Sequence, residues 1–154
     1  MKNFDVIKVA IGELGVTEYP SGSNDTAYGL WYDDRGGSPW CAVFLSWCFD
    51  KAGIPLENID SDKGFYNCQN GYNHWVKEKR ITITPVLGDP VFLDWTGDKH
   101  FDHVGFFLQD NGDRTIMTLE GNTSLKNNSN GGKVMIRRRN KSVCVFVHPE
   151  VYDE

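Results

Sequence analysis

The sequence is short of the features that mark several large classes of protein. It has no uninterrupted apolar run of the length a membrane span needs. Its start, Met1-Lys2-Asn3-Phe4-Asp5, runs into an amphipathic pattern where a secretory signal would carry an apolar block. The expectation is a protein made in the cytoplasm, without a signal peptide and without membrane insertion. Positive charge is scarce: 16 Lys and Arg stand against 21 Asp and Glu, a formal net charge of −5. That balance argues against general binding of nucleic acid. The one basic run, Arg137-Arg138-Arg139 with Lys141, lies in a strand-like segment and reads as a solvated strand face. Four cysteines, Cys41, Cys48, Cys68 and Cys144, include no CxxC pair and no zinc-ligand spacing. Two disulfides are arithmetically open, but a chain of 154 residues has core enough without them, and free thiols are expected. Asp25, Asp33 and Asp34 lack the regular spacing of a calcium loop. Asp98, His100, Asp102 and His103 cluster in a way that reads as solvated loop. Neither metal nor cofactor is expected. No repeat, low-complexity tract or linker breaks the chain, so residues 1–154 read as one domain, expected to be a monomer.

What is present is organised around Ser38-Pro39-Trp40-Cys41 and the apolar residues that follow, to Gly53. Ser38 suits an N-cap and Pro39 the first helical position. Gly53 suits a left-handed stop, and Pro55 bars continuation. Between these marks the segment is apolar on most faces and predicts a buried helix. Cys41 then falls in the first turn, where unpaired N–H groups and the macrodipole stabilise a thiolate. Cys48 lies two turns on, about 10.5 Å along the axis, too far for a disulfide with Cys41. The two thiols should therefore differ, Cys41 activated and Cys48 inert.

A first helix follows from Asn3 as cap and from Val6, Ile7, Ala10, Ile11 and Leu14 at helical spacing, with Gly15 ending it. Residues 16–37 form a polar loop that also carries Tyr19, Tyr28, Trp31 and Tyr32. Those rings either line one wall of a groove or pin the loop to the core. A short helix is expected near Gly71 to Lys79. From Ile81 the apolar period becomes two. Pro90 to Trp95, Val104 to Leu108, Ile116 to Gly121, Val134 to Arg138 and Val143 to Val147 read as strands. Helices first and an antiparallel meander of about five strands after them make an α+β fold.

Asn111-Gly112 is the strongest hairpin signal in the chain. A hairpin centred there sets Val104 against Leu119, Phe106 against Met117 and Leu108 against Thr115, one apolar face throughout. On the other face the same register sets His103 opposite Glu120, with Thr118 and Asn122 beside it. A carboxylate across from an imidazole fixes its tautomer and stabilises its protonated form. A thiolate nearby would complete a nucleophile, a base and an orienting group. His74, His100 and His148 are weaker candidates by position.

Taken together, Pro39-Trp40-Cys41-Ala42-Val43-Phe44, Gly88-Asp89-Pro90-Val91-Phe92, His103-Val104-Gly105 and Glu120-Gly121-Asn122 resemble the CHAP domain, a family of cysteine amidases and endopeptidases related to NlpC/P60 proteins. The resemblance covers nearly the whole chain. It implies a papain-like fold and cleavage of an amide bond in peptidoglycan, with peptidoglycan as the partner. It assigns Cys41 as nucleophile, His103 as base, Glu120 as the group orienting the imidazole, and Asn122 as its support. Tyr28, Trp31, Trp40 and Trp95 are the expected substrate-binding rings, although Trp95 is equally suited to the core. The family occurs in phage lysins and bacterial autolysins, which act on the wall after release. Two rival readings share these residues: a thiol protease or deamidase acting on proteins, and a non-catalytic wall-binding module.

Overall fold

The computed structural model describes residues 1–33 and 36–154. Four helices come first: α1 (Lys2–Ile11), α2 (Ala27–Trp31), α3 (Cys41–Lys51) and α4 (Cys68–Lys77). Six strands follow: β1 (Ile81–Thr82), β2 (Pro90–Leu93), β3 (Val104–Asp110), β4 (Thr115–Thr123), β5 (Lys133–Asn140) and β6 (Cys144–Val147). They form one antiparallel sheet in the order β1-β6-β2-β3-β4-β5. The α+β expectation holds, but the sheet is not a simple meander. After β5 the chain crosses back, and β6 pairs between β1 and β2. Among the described residues no helix is long and apolar enough to cross a membrane.

Helix α3 is the centre of the main core. Eight of its eleven residues are buried, on nearly every face. Phe44, Leu45 and Phe49 lie among Tyr28, Phe106 and Tyr152, and each such side chain contributes about 1.5–3 kcal/mol by leaving water. The C-terminus closes as the spacing predicts: Gly53 (φ 80°) donates to Asp50 O and Ile54 donates to Phe49 O, satisfying two end carbonyls. The N-terminus differs from expectation. Ser38 is not the cap and Pro39 is not helical. Trp40 occupies the cap position at φ −123°, and its indole N–H donates to the buried Glu18 (3.1 Å). That bond and the packing of the indole on Tyr28 and Phe44 hold Trp40 out of helical geometry. Cys41 therefore becomes the first helical residue.

Other boundaries also move. Helix α1 is capped by Met1, because the Asn3 amide donates instead to Leu87 O (2.8 Å). It ends at Ile11, leaving Leu14 partly exposed beyond it. Helix α4 begins at Cys68, earlier than the apolar spacing suggests, because the Asn67 side chain caps the Asn70 N–H (3.0 Å).

The β3–β4 hairpin shows the largest correction. Phe106 pairs with Leu119, not Met117, and Gln109 pairs with Met117 after a bulge at Leu108. The turn is three residues long, Gly112 to Arg114, with Arg114 left-handed (φ 71°). Asp110 pairs with Lys141, and Asp113 pairs with Arg138 (2.5 Å). The sheet is apolar on both faces near the turn: Phe106 and Leu119 join the main core, while Val91, Leu93, Phe107, Ile116 and Phe146 form a second, smaller cluster.

The close seat of α3 on β4 needs Gly121, since a Cβ there would lie 2.9 Å from the Phe44 ring. Gly121→Val should destabilise the fold by about 1–3 kcal/mol, the usual cost of overpacking. Urea unfolding of the two proteins, with an unchanged slope against denaturant, is the measurement.

Candidate active site

Cys41 is placed by the start of α3. No side chain caps this helix among the described residues, so its first N–H groups stay open beside the thiol. His103 immediately precedes β3, and Glu120 lies on β4. Both are fully buried. The sequence expects them to be directly opposite; the observed register makes the contact diagonal. Gly105, two residues from His103, lies against Glu120, and a Cβ there would be 2.6 Å from Glu120 Cγ. The missing side chain is the space through which the Glu120 carboxylate leans to reach His103 Nε2 at 2.7 Å. The expected partnership is therefore correct, and its stated geometry is not.

Glu120 has three further bonds. Arg139 donates through Nε to Oε2 (2.8 Å) and through Nη2 to Oε1 (2.5 Å), and Thr118 Oγ1 donates to Oε2 (2.6 Å). Burial by itself raises the pKa of this carboxyl; Arg139 and His103 outweigh it and hold the group at about 2. An ionised carboxylate only accepts, so Nε2 carries the proton and Nδ1 is left as the basic nitrogen. Burial lowers the basicity of the imidazole, but the nearby Cys41 sulfur and Glu120 raise it further, to about 9. Nδ1 is buried without a closed hydrogen bond. It interacts with Cys41 mainly through charge, an open geometry common before substrate binds.

The Cys41 sulfur lies 3.6 Å from Cys68 Sγ and 3.8 Å from Asp102 O. A hydrogen bond from the Cys68 thiol lowers the Cys41 pKa most; burial opposes, and His103 adds to the lowering. Cys48, by contrast, is buried and pushed well up. The expected difference between the two thiols of α3 is present. A cleft of about 390 Å³ opens in front of Cys41, lined among others by Pro39, Tyr66, Cys68, Gln69 and His100.

The expected aromatic contacts divide. Trp95 is partly exposed and stacks on the His103 ring (centroids 5.8 Å apart, planes at 25°), and its other neighbour is the Arg139 guanidinium, 5.3 Å from the ring centre. Tyr28 and Trp40 are not groove residues. Both are buried: the Tyr28 hydroxyl donates to Glu13 (2.8 Å), and Trp40 donates to Glu18. They are drawn inward because α2, capped by Thr26, packs on α3. Trp31 is half-buried, with Lys63 over its ring (5.7 Å), and does not line the cleft. Asn122 is buried but does not reach the imidazole. Its Oδ1 accepts from Gly132 N (3.0 Å) and its Nδ2 donates to Asn130 (3.1 Å), so it fixes the β4–β5 connection. Asp33 pairs with Lys63, and Asp34 lies outside the described residues. Among the described residues no group of His, Cys, Asp and Glu is arranged to hold a metal.

Arg139 and Cys68 are the site residues that sequence reasoning missed. Arg139 is buried, so the basic run is not a solvated face throughout. The signal was the buried carboxylate itself: Glu120 in an apolar run demands a cation, and the adjacent strand offers three. Cys68 had no comparable signal, because its approach to Cys41 depends on how α4 meets α3.

The α+β fold thus brings a thiol at a helix start close to a buried imidazole–carboxylate pair. The CHAP domain profile matches residues 32–122, a span that holds Cys41, His103, Glu120 and Asn122. The chain belongs to the CHAP domain family. Its fold is similar to that of N-acetylmuramoyl-L-alanine amidase from Staphylococcus aureus, at 15% identity and a TM-score of 0.51. The alignment covers 74% of this chain and 31% of that one, so this chain corresponds to less than a third of the amidase structure. No curated protein sequence matches the chain significantly.

The two linked shifts set a pH window. His103 is raised from 6.5 to about 9, so its stabilising contribution is full below pH 6.5 and is lost as pH rises through 9. Glu120 is lowered from 4.5 to about 2, so its contribution is full above pH 4.5 and is lost as pH falls through 2. Thermal unfolding against pH should show both limbs in the wild type. Glu120→Gln should remove the acid limb and bring the His103 titration, followed by imidazole NMR, down from about 9. Arg139→Met, which leaves Glu120 one cation short in a buried site, should cost about 3–5 kcal/mol in denaturant unfolding.

Proposed function

We propose that this domain hydrolyses an amide bond in peptidoglycan through a thioester on Cys41, as an N-acetylmuramoyl-L-alanine amidase or as an endopeptidase of the stem or cross-bridge peptide. The observation that supports this most is the placing of Cys41 on an open cleft with His103 behind it, in a chain of the CHAP family. The Cys41 thiolate attacks the carbonyl carbon. The charge that develops on the carbonyl oxygen meets the open N–H groups at the start of α3. His103, protonated at Nδ1, gives that proton to the leaving amine, and a water activated by the same nitrogen hydrolyses the thioester. Glu120 and Arg139 act as positioning residues: they hold the ring and its tautomer and do not touch the substrate. The domain acts on the wall after release from the cytoplasm of its cell of origin.

Digestion of purified peptidoglycan, with mass spectrometry of the soluble fragments, tests the reading. Cys41→Ala should lower hydrolysis by roughly 10⁴-fold or more, the scale seen when a triad nucleophile is removed. Cys48→Ala should keep hydrolysis and lose only modest stability. Sugar chains freed from intact peptides would identify an amidase, and new peptide amines an endopeptidase. Intact peptidoglycan from several unrelated bacteria, with proteins cleaved or deamidated instead, would move the assignment to a protein-directed thiol enzyme.

A further inference from the structure

Cys68 is the least expected group in the cleft. It is the first residue of α4, as Cys41 is the first residue of α3, so two helix N-termini present thiols to each other. Their sulfurs are 3.6 Å apart, in van der Waals contact, and both line the cleft. Neither is committed to a disulfide. A single shared proton suits the pair: Cys41 is favoured as thiolate by His103 and by the Cys68 S–H, and Cys68 keeps its proton because the Cys41 charge, its own burial, Asp102 and Asp60 all oppose its ionisation. A thiolate that a second thiol touches, at the mouth of a cleft, has the arrangement of an attacking and a resolving cysteine.

We propose that Cys41 and Cys68 are a reversible disulfide site, closed by a peroxide and opened by a dithiol, so that oxidation removes the nucleophile without destroying it. In the first step the Cys41 sulfur attacks one peroxide oxygen. An S–O bond forms, the O–O bond breaks, and the departing hydroxide takes a proton to become water. In the second step Cys68 sulfur attacks Cys41 sulfur. The S–S bond forms, the S–O bond breaks, and the hydroxide leaves with the Cys68 proton as a second water. Two thiols are oxidised by two electrons in total and one peroxide is reduced. A dithiol reverses the result by two exchange steps, leaving as its own cyclic disulfide. Cys48 and Cys144 are not alternative partners: Cys48 is sealed in the core two turns along α3, and the Cys144 sulfur faces Asn140 O on the sheet (3.4 Å). Closure of the pair would shorten S–S from 3.6 Å to about 2.05 Å.

The test treats the reduced, full chain with a several-fold molar excess of hydrogen peroxide, since each oxygen added to sulfur consumes one peroxide, then blocks free thiols, digests, and reads the peptides by mass. The wild type should give a Cys41–Cys68 linked peptide pair about 2 Da lighter than the sum of the free peptides. Alkylation of Cys41 by iodoacetamide should be lost, and dithiothreitol should restore it. In Cys68→Ser no link should form, and Cys41 should instead gain two or three oxygens that dithiothreitol does not remove. Wild-type Cys41 passing directly to the over-oxidised forms, or linking to Cys48 or Cys144, would overturn the proposal, and that result needs no variant to fold. The readout is thiol mass and alkylation, so it stands or falls independently of whether peptidoglycan is the substrate.

Discussion

The site depends on one buried carboxylate. Glu120 is fully enclosed, and an isolated charge in such a place would be neutralised by taking up a proton. It stays ionised because Arg139 grips both oxygens from one side while His103 meets it from the other. With Cys41 added, the row reads cation, anion, cation, anion: Arg139, Glu120, His103, Cys41. The charges alternate and sum to zero, which is the condition for keeping four ionisable groups under cover. Removal of any one leaves a neighbour uncompensated. The imidazole is therefore not tuned by a single partner. Its basicity, its tautomer and its orientation follow from the whole row.

Much of the fold around that row consists of permissions for it. Gly105 gives Glu120 the room to lean along the sheet, and Gly121 lets Phe44 sit down so that α3 lies close to β4. Asn122, in a left-handed conformation (φ 60°), sits at the irregularity in β4 between Glu120 and Thr123 and anchors Gly132. Asp89, in the Gly-Asp-Pro-Val stretch, is buried and bonds His148 Nδ1 (2.7 Å), tying β2 to the C-terminal segment. These residues carry the family resemblance as strongly as the cysteine and the histidine do. Their work is to hold distances, which explains why a motif can be diagnostic of a site without every member touching the chemistry.

The sequence made the elements and the reacting groups legible, and their exact relations less so. Cys41 at a helix start, the inertness of Cys48 and the His103–Glu120 partnership all follow from local rules: dipole, burial and alternation. The hairpin register was misread because the Asn111-Gly112 signal says that a turn exists, while a left-handed Arg114 and the bulge at Leu108 decide where it is centred. The His–Glu pairing survived because long side chains reach diagonally as well as directly across a sheet. Tyr28 and Trp40 were misplaced for a different reason. Tyr28 lies in a polar stretch and Trp40 in the stretch read as a helix start, and only the packing of α2 on α3 shows that both rings have carboxylate partners inside. Arg139 was signalled by the need of buried Glu120 for a cation, though the β4–β5 register decides which arginine meets it, while Cys68 required tertiary information outright, since it enters the site from α4.

The burial of His103 also leaves its basic nitrogen facing Cys41. Trp95 stacks on the ring and itself neighbours the Arg139 guanidinium, Glu120 occupies Nε2, and the His103 ring has no exposed surface. The one unoccupied nitrogen, Nδ1, is on the Cys41 side. On the proposed reading, a scissile bond meets the sulfur from the cleft between the starts of α3 and α4. On that path it passes the open N–H groups of α3 on one wall and Cys68 with Gln69 on the other. The positive ends of two helices converge there, which favours the negative charge that the proposed attack would place on the sulfur and the carbonyl oxygen. The same convergence that favours attack on a carbonyl holds a second thiol against the first. The proposed hydrolysis and the proposed disulfide thus draw on a single arrangement, two helix starts that hold their sulfurs 3.6 Å apart on one cleft.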